Sequence, residues 1–426
     1  MKTWSEFVTW SPKEVLMPNS DSDIMQMIQQ ANEEQKKIRL IGSGHSFTPL
    51  CETEDFTMSL DNLQGVINQD GNLVTAHGGT KLYRLGDELE KLGLSQENLG
   101  DINKQSVAGA ISTGTHGTGI NFGSISTQVE VISFINGKGE KHTASKSDSD
   151  PTLFRALQLS LGTFGVLTEI KLKCEKAFHL ELKIRKEKLD EKLEQLEQVL
   201  NENRHFEFYQ VPPTNWIQAK YSNVVDEASS KTSKVGEFIN DVVLENWALG
   251  MLCKINKVYP KSSKTISNIT AKFISNERKV KESHKVFSTV RNVKFKEMEY
   301  NVPLENYKTV VKELQQLIAK NNYNISFPIE HRFVQQDNIM LSPANGRNSA
   351  YIACHVYKGM DHTRYFADLE AMFVEHGGRP HWGKMHTRDV EFFSQVYPEF
   401  SEFNELRKQH DPNELFVSPY IKKILG

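Results

Sequence analysis

The sequence predicts an α+β protein of two domains, on three observations. Its 426 residues exceed what one hydrophobic core organises. The first ~175 residues are rich in Gly, Ser and Thr and alternate short strands with helices. After Lys173 the texture changes: glycines thin out, strands lengthen and charged helical stretches begin. Glycines and aromatics return from Glu375.

The first elements follow from local chemistry. Glu14 to Met17 and Ile38 to Ile41 read as strands. The spacing of Ile24, Met27, Ile28 and Ala31 predicts a helix over Ser20 to Lys37, capped by Ser20, Asp21 or Ser22. Gly65 to Thr75 reads as a hairpin turning at Asp70-Gly71. Thr80 to Leu92 reads as an amphipathic helix capped by Thr80 and stopped by Gly93. Val129 to Ile135 is a strand leading into the turn Asn136 to Gly139, and Asp150-Pro151 opens another helix. In the second part, Leu180 to Arg204 is a Lys/Glu-rich stretch expected to form a solvated helix, and Glu305 to Asn321 is a further helix.

Composition narrows the function. A net charge of -3 with 25% charged residues implies no large basic face, which argues against nucleic acid or anionic membrane as the main partner. The N-terminus lacks a signal-peptide core. No run reaches the ~18 apolar residues of a membrane span; the nearest, Asp241 to Val258, is broken by Glu245, Asn246 and Lys254. Cys51, Cys174, Cys253 and Cys354 form no C-x-x-C pair, which fits buried thiols in the cytoplasm and excludes a zinc ribbon.

Four segments carry chemistry. Ile41-Gly42-Ser43-Gly44-His45-Ser46 follows a strand; its glycines open the backbone to an anion and its histidine suits a nucleophile or tether. Ser106 to Gly119 is dense in small residues, so backbone can lie flat against a planar or polyphosphate ligand, but it matches neither a dinucleotide fingerprint nor a P-loop. Glu330-His331-Arg332, if in a strand, puts a carboxylate and a guanidinium on one face, able to clamp a polyhydroxylated substrate. Arg379 to Thr387 is an ordered loop with Trp382 and Lys384. The histidines near it, including His355 and His376, show no metal-ligand spacing, so no metal is expected.

In this order and at these separations, with the Asn98-Leu99-Gly100 step and the C-terminal stretch from Asp411 to Leu425, the segments resemble the aldonolactone and alditol oxidases of the vanillyl-alcohol-oxidase flavoprotein superfamily. The resemblance implies an FAD-binding domain of two subdomains at 1–178, a cap domain with an antiparallel sheet at 179–375, and a segment at 376–426 returning to the flavin. It implies FAD bonded through an 8α-histidyl link to His45, with Ile41 and Gly42 to Ser46 at the pyrophosphate. Ser106, Gly109, Thr113, Gly114 and Gly117 would line the flavin and its arm, and Gly162 to Val166 would close the adenine side. No cysteine stands where relatives place a second bond. Gly100 matches a small residue beside the reactive flavin carbon, where alanine is linked to slow oxygen reaction, so glycine favours O2 as acceptor. Glu330, Arg332 and Lys384 would form the substrate site: Lys384 stabilises charge on the reduced ring, while Arg332 or His355 assists proton removal. His355 and Asp101 replace a threonine and a serine of the alditol-oxidase pattern, and His386 matches sugar-lactone oxidases. The expected substrate is therefore a gulono-, galactono- or arabinono-1,4-lactone oxidised with release of hydrogen peroxide, by a monomer or small homo-oligomer. An alditol such as xylitol or sorbitol, or a lactone dehydrogenase using another acceptor, are the alternatives.

Overall fold

A computed structural model describes residues 1–228, 245–288 and 293–426. Near the N-terminus, Phe56–Ser59 is the central strand of a three-stranded parallel sheet, between Glu14–Leu16 and Ile38–Ile41. The first helix spans Asp21–Glu33, and the Ser20 hydroxyl caps it by accepting from the Asp23 N–H at 3.1 Å. It stops short of Lys37 because Gln35 turns left-handed (φ 53). Ile24, Ile28 and Ala31 are its buried face, packed with Phe56 and Met58.

A five-stranded antiparallel sheet follows, ordered Val66–Asp70, Leu73–His77, Gly165–Lys173, Val129–Asn136, Lys141–Ser145. Its first hairpin turns through Gly71 (φ 60) as its Asp-Gly step predicts. The next helix runs Leu82–Lys91, and here the expected cap is corrected. Lys81 occupies the cap position, while the Thr80 hydroxyl accepts from the Gly65 N–H at 2.9 Å and so ties helix to hairpin. The helix after Pro151 starts at Thr152, whose N–H is bound by the Asp150 carboxylate at 3.0 Å.

The largest sheet has eight strands, all antiparallel, ordered Glu277–Glu282, His179–Lys188, Trp216–Val225, His205–Gln210, Ile329–Val334, Ser349–Tyr357, Phe295–Pro303, Arg379–Pro380. The expected helix over Leu180 to Arg204 is therefore only partly present. Its first third is strand, and helices form at Leu189–Glu194 and Leu196–Glu202. Leu180, Leu182 and Ile184 alternate with charged residues, a period of two, and pairing on both edges overrides the helix preference of Lys and Glu. The helix expected from Glu305 begins at Tyr307, after a short 3-10 turn, and ends at Asn321 before left-handed Asn322.

The C-terminal stretch packs back against the five-stranded sheet. Trp382, Phe393, Phe403, Ile421 and Ile424 share one apolar cluster with Leu85, Ile111, Phe164 and Leu167. Arg39, fully buried, fastens this return: its guanidinium donates to the carbonyls of Leu50 (2.7 Å), Leu161 (2.9 Å), Gly162 (3.0 Å) and Phe416. All four cysteines are unpaired. The Asp241 to Val258 run is helical from Glu245; residues 241–244 lie outside the described residues. No described helix is long and apolar enough to cross a membrane.

Three histidines away from the cleft are held neutral by burial, His205 and His386 at about 4 and His331 at about 3. Their unfolded pKa is near 6.5, so the unfolded chain binds more protons below that pH and stability falls with acidification. Each contributes a slope of about 1.4 kcal/mol per pH unit between roughly pH 6.5 and 4. Asp337, raised by burial to about 6, opposes them, as do Glu97 and Asp411, also raised by burial, but His45 and His381, lowered to about 4, add to the histidines' side. The melting temperature is expected to drop from pH 6.5 to 4.5, above the range where ordinary carboxylates titrate. A flat melting temperature across that interval in a calorimetric pH series contradicts the assignment.

Candidate active site

A long cleft connects the smaller sheets to the large one. One arm, with about 900 Å³ of space open in part to solvent, runs along Ile41 to Ser46, Ser106, Ala108, Gly109 and Leu161-Gly162. The other, about 720 Å³, is a chamber lined by Trp4, Phe47, Gly100, Asp101, Glu297, Glu299, Glu330, Arg332, His381 and Lys384. His45, Ser46, Gln105 and Thr113 line both. The first arm is built of backbone at close range. A Cβ on Gly42 would stand 2.4 Å from the Ser106 Oγ, so a larger residue there would displace the hydroxyl that caps the next helix. Ser106 also starts the helix Val107–Ser112, accepting from the Gly109 N–H at 3.2 Å.

Two loops are laced together where the arms meet. The Phe47 N–H donates to the Gly383 carbonyl (2.7 Å), and the Thr48 hydroxyl to the Trp382 carbonyl (3.0 Å). From the other side, the His381 and Met385 N–H groups donate to the carbonyls of Glu299 and Glu297 at 3.0 and 2.9 Å. His45 and Lys384 are thereby fixed on facing loops. His45 stacks on Trp4, with centroids 5.7 Å apart, and its ring nitrogens have no hydrogen-bond partner among the described residues. Burial, then the charges of Lys384 and Lys294, lower its pKa to about 4, so near neutrality it offers a neutral imidazole.

The chamber floor is electrostatic. Alternation along Ile329–Val334 puts Glu330 and Arg332 on one face, in direct contact. Arg332 also meets Glu207 at 2.9 Å and Asp101 at 3.7 Å, and the Tyr209 hydroxyl donates to Glu330 at 2.7 Å. Burial alone would lower the Arg332 pKa; Glu330, Glu207 and Asp101 outweigh it and hold it above its usual value. A guanidinium so held binds oxygens and is no base. On Phe295–Pro303, one strand further across the sheet beyond Ser349–Tyr357, Glu297 and Glu299 form a second pair two residues apart. Lys384 Nζ lies 2.5 Å from Glu297. Burial pushes Glu297 up, but Lys384 and then His355 overcome it and bring it to about 2. Lys384 in turn is lowered by burial yet raised overall by Glu297 and Glu299, and so stays cationic with about a fifth of its side chain open to the cleft. Glu299 is held ionised against burial by His116, 3.2 Å away.

Of the residues singled out from sequence, Lys384, Arg332, Glu330, Gly100 and Asp101 meet in the chamber, and Ile41 to Gly44, Ser106 and Gly109 line the narrow arm. His45, Ser46 and Thr113 stand between. Four stand elsewhere. His355 lies behind Glu297, 3.4 Å from it, with Nδ1 against the Pro328 carbonyl, so it is removed from the cleft wall. Gly117 packs on Asn98 and Leu99, Gly114 on Leu159, and Val166 is buried with Ile24 and Phe56. Sequence reasoning missed Glu297, Glu299, Glu207, Tyr209 and Trp4. The alternation that pairs Glu330 with Arg332 would have exposed Glu297 and Glu299; nothing local marks Trp4.

Buried His116, Glu299 and His381, and likewise Glu297, Glu330 and His355, bring potential ligand atoms within 4.8 Å of one another. Lys384 already faces Glu297 and Arg332 faces Glu330, so the second cluster is charge-balanced as it stands. In the first, His381 Nδ1 accepts from the Gly383 N–H at 3.0 Å, which leaves the proton of a neutral ring on the other nitrogen and unsuits it as a ligand. The cleft as a whole fits FAD: an arm lined by Gly42, Gly44, Gly78, Gly79 and Gly109, where backbone can approach a ligand, joined to a chamber where a fixed cation can face a planar ring.

Comparison with known proteins agrees. Residues 12–145 match the FAD binding domain family and residues 170–424 the family described as D-arabinono-1,4-lactone oxidase. The L-gulono-1,4-lactone dehydrogenase of Mycobacterium tuberculosis is 32% identical, over 99% of this chain and 98% of its own. The L-gulonolactone oxidase of Mus musculus is 28% identical, over 99% and 97%. Cholesterol oxidase from Brevibacterium sterolicum superposes with a TM-score of 0.84 at 17% identity, over 100% of this chain and 96% of that one, which shows a shared fold. The fold is thus the α+β flavoprotein type with a two-subdomain FAD-binding part and a cap, and the chain belongs to the D-arabinono-1,4-lactone oxidase family.

Proposed function

We propose that this protein oxidises a sugar 1,4-lactone of the gulono-, galactono- or arabinono- type, using FAD bonded to His45 and returning the electrons to O2 as hydrogen peroxide. The observation that carries this reading is the convergence of Lys384, Arg332 and Glu330 on a chamber whose other wall holds His45. The cofactor supplies the electron sink for hydride leaving a carbinol carbon. The chain supplies the rest. Gly42 to Ser46, Ser106, Gly109 and Thr113 hold the cofactor's arm. His45, neutral and without a hydrogen-bond partner among the described residues, presents the free lone pair that an N–C tether needs. Arg332 and Glu330 bind hydroxyl and lactone oxygens and orient the reacting carbon. Lys384, a fixed cation in the chamber, would stabilise the negative charge that grows on the ring on reduction. The unpaired cysteines support a cytoplasmic setting.

Gly100 supports oxygen as the acceptor, since it adds no side chain to the chamber wall; an alanine Cβ there would sit 3.1 Å from the His116 carbonyl. The 32%-identical relative, named a dehydrogenase, favours another acceptor as the second reading. Oxygen uptake with L-gulono-, L-galactono- and D-arabinono-1,4-lactone, set beside anaerobic dye reduction and beside xylitol, separates these. Lactone-dependent oxygen uptake is expected; dye reduction without uptake establishes the dehydrogenase, and uptake with xylitol alone the alditol oxidase.

Two variants test the residue roles. Acid-precipitated wild-type protein is expected to keep its yellow colour in the pellet, and His45→Ala to release it to the supernatant; colour lost from the wild type refutes the tether. Lys384→Ala is expected to retain FAD while kcat falls about 10²- to 10³-fold, the usual effect of removing one group that stabilises developing charge. Unchanged turnover removes Lys384 from its assigned role.

A further inference from the structure

The whole-chain charge of -3 conceals a local segregation. Between residues 250 and 276 stand Lys254, Lys257, Lys261, Lys264 and Lys272, with no Asp or Glu. This segment comprises the end of the helix Glu245–Val258, a turn at Tyr259–Ser262 and the helix Ser263–Phe273. All five lysines are exposed, and none makes an ion pair with a described residue. The same segment holds Met251 (43% exposed), Ile255 (43%), Val258 (68%), Tyr259 (67%) and Phe273 (80%), among the most exposed large apolar side chains described.

The pattern is directional. Met251, Ile255 and Val258 stand at i, i+4 and i+7 on one face of the helix, with Lys254 beside them and Tyr259 following at the turn. The opposite face is committed inward. Cys253 packs with Phe47, Phe295 and Phe327, and Asn256 donates to the Ser326 hydroxyl at 3.0 Å while accepting from Ser263 at 2.7 Å. The outer stripe is therefore not a misplaced core face. We infer that this helix–turn–helix docks on the surface of an anionic phospholipid bilayer, the lysines meeting lipid headgroups and Val258 and Tyr259 entering the headgroup–acyl boundary.

Charge complementarity selects this partner. A second copy meeting the same face would oppose lysine to lysine across the interface, which disfavours a symmetric dimer. The apolar residues at the turn stand two-thirds exposed, as a projection, and a basic flank beside a projecting apolar tip is the arrangement of interfacial helices. Attraction of this kind is screened by salt and scales with lysine count.

Full-length FAD-loaded protein, sedimented with vesicles of phosphatidylglycerol and phosphatidylcholine (1:1), tests this. Binding is expected at low salt, with little to pure phosphatidylcholine and loss in 0.5 M NaCl. Lys257→Glu with Lys261→Glu is expected to weaken partitioning about tenfold or more, and Val258→Asp with Tyr259→Asp to abolish it, both with the wild-type melting temperature and lactone turnover in solution. No binding to the anionic vesicles overturns the proposal, as does undiminished binding by the two double variants. A concentration-dependent dimer that Val258→Asp with Tyr259→Asp dissolves, without vesicle binding, also overturns it and assigns the face to self-association.

Discussion

One buried cation holds the architecture together. Arg39 has no carboxylate in contact among the described residues; its charge is spread over four backbone carbonyls from Leu50, Leu161, Gly162 and Phe416. Burial, opposed by the neighbouring Cys51 and Asp411, brings its pKa to about 10, so it remains charged near neutrality. These carbonyls come from three stretches of chain, which the hydrogen bond from the Ile38 N–H to the Leu415 carbonyl and the shared apolar cluster also hold together. The strand bearing Arg39 continues into the His45 loop, so the same contact that closes the C-terminal return also sets where that loop begins. Removing the guanidinium would orphan several buried acceptors, each costing roughly 1–3 kcal/mol, and would free the C-terminal segment from the narrow arm of the cleft.

The chamber solves the opposite problem, too many anions rather than an isolated cation. Asp101, Glu207, Glu297, Glu299 and Glu330 crowd one sheet face with Lys384 and Arg332 as the cations among them. Burial works to protonate the carboxylates, yet Glu207, Glu297 and Glu299 are lowered because each meets a cation or an imidazole. Such pairing is costly to break from one side, since a single deletion leaves a buried charge uncompensated. The same pairing fixes Lys384 and Arg332 in place before any ligand arrives, and fixed charge in a dry cleft is what stabilises developing charge during hydride loss.

Much of this was legible in the sequence where local geometry and function coincide. The Gly42 to Ser46 loop needs glycine where Gly42 approaches the Ser106 hydroxyl, and Glu330 with Arg332 needs only strand alternation. The rest failed for identifiable reasons. His179–Lys188 carries helix-forming Lys and Glu, and only pairing along both edges makes it a strand. Thr80 has the chemistry of a cap, but its hydroxyl is claimed by Gly65, fifteen residues away. His355 reads as a cleft residue by correspondence, yet Glu297 stands in front of it. Trp4 reaches His45 only through the folded N-terminus, a contact that no local pattern encodes.

The lysine-rich helix and the cleft are not independent. Cys253, on the inner side of that helix, packs with Phe47 and Phe295, and both of those rings also line the chamber beside Trp4 and His45. Phe47 is bound through its N–H to Gly383, the residue before Lys384, so a single layer of side chains separates the outer helix from the loop that carries the chamber's lysine. Close-packed layers transmit displacement rather than absorb it. A contact that shifts the outer helix must therefore be accommodated by Phe47 and Phe295, and those two rings share the chamber wall with Lys384 and His45. The outward stripe can stay apolar because the helix is anchored by its inner face, through Cys253, Asn256 and Ser263, without needing the outer one.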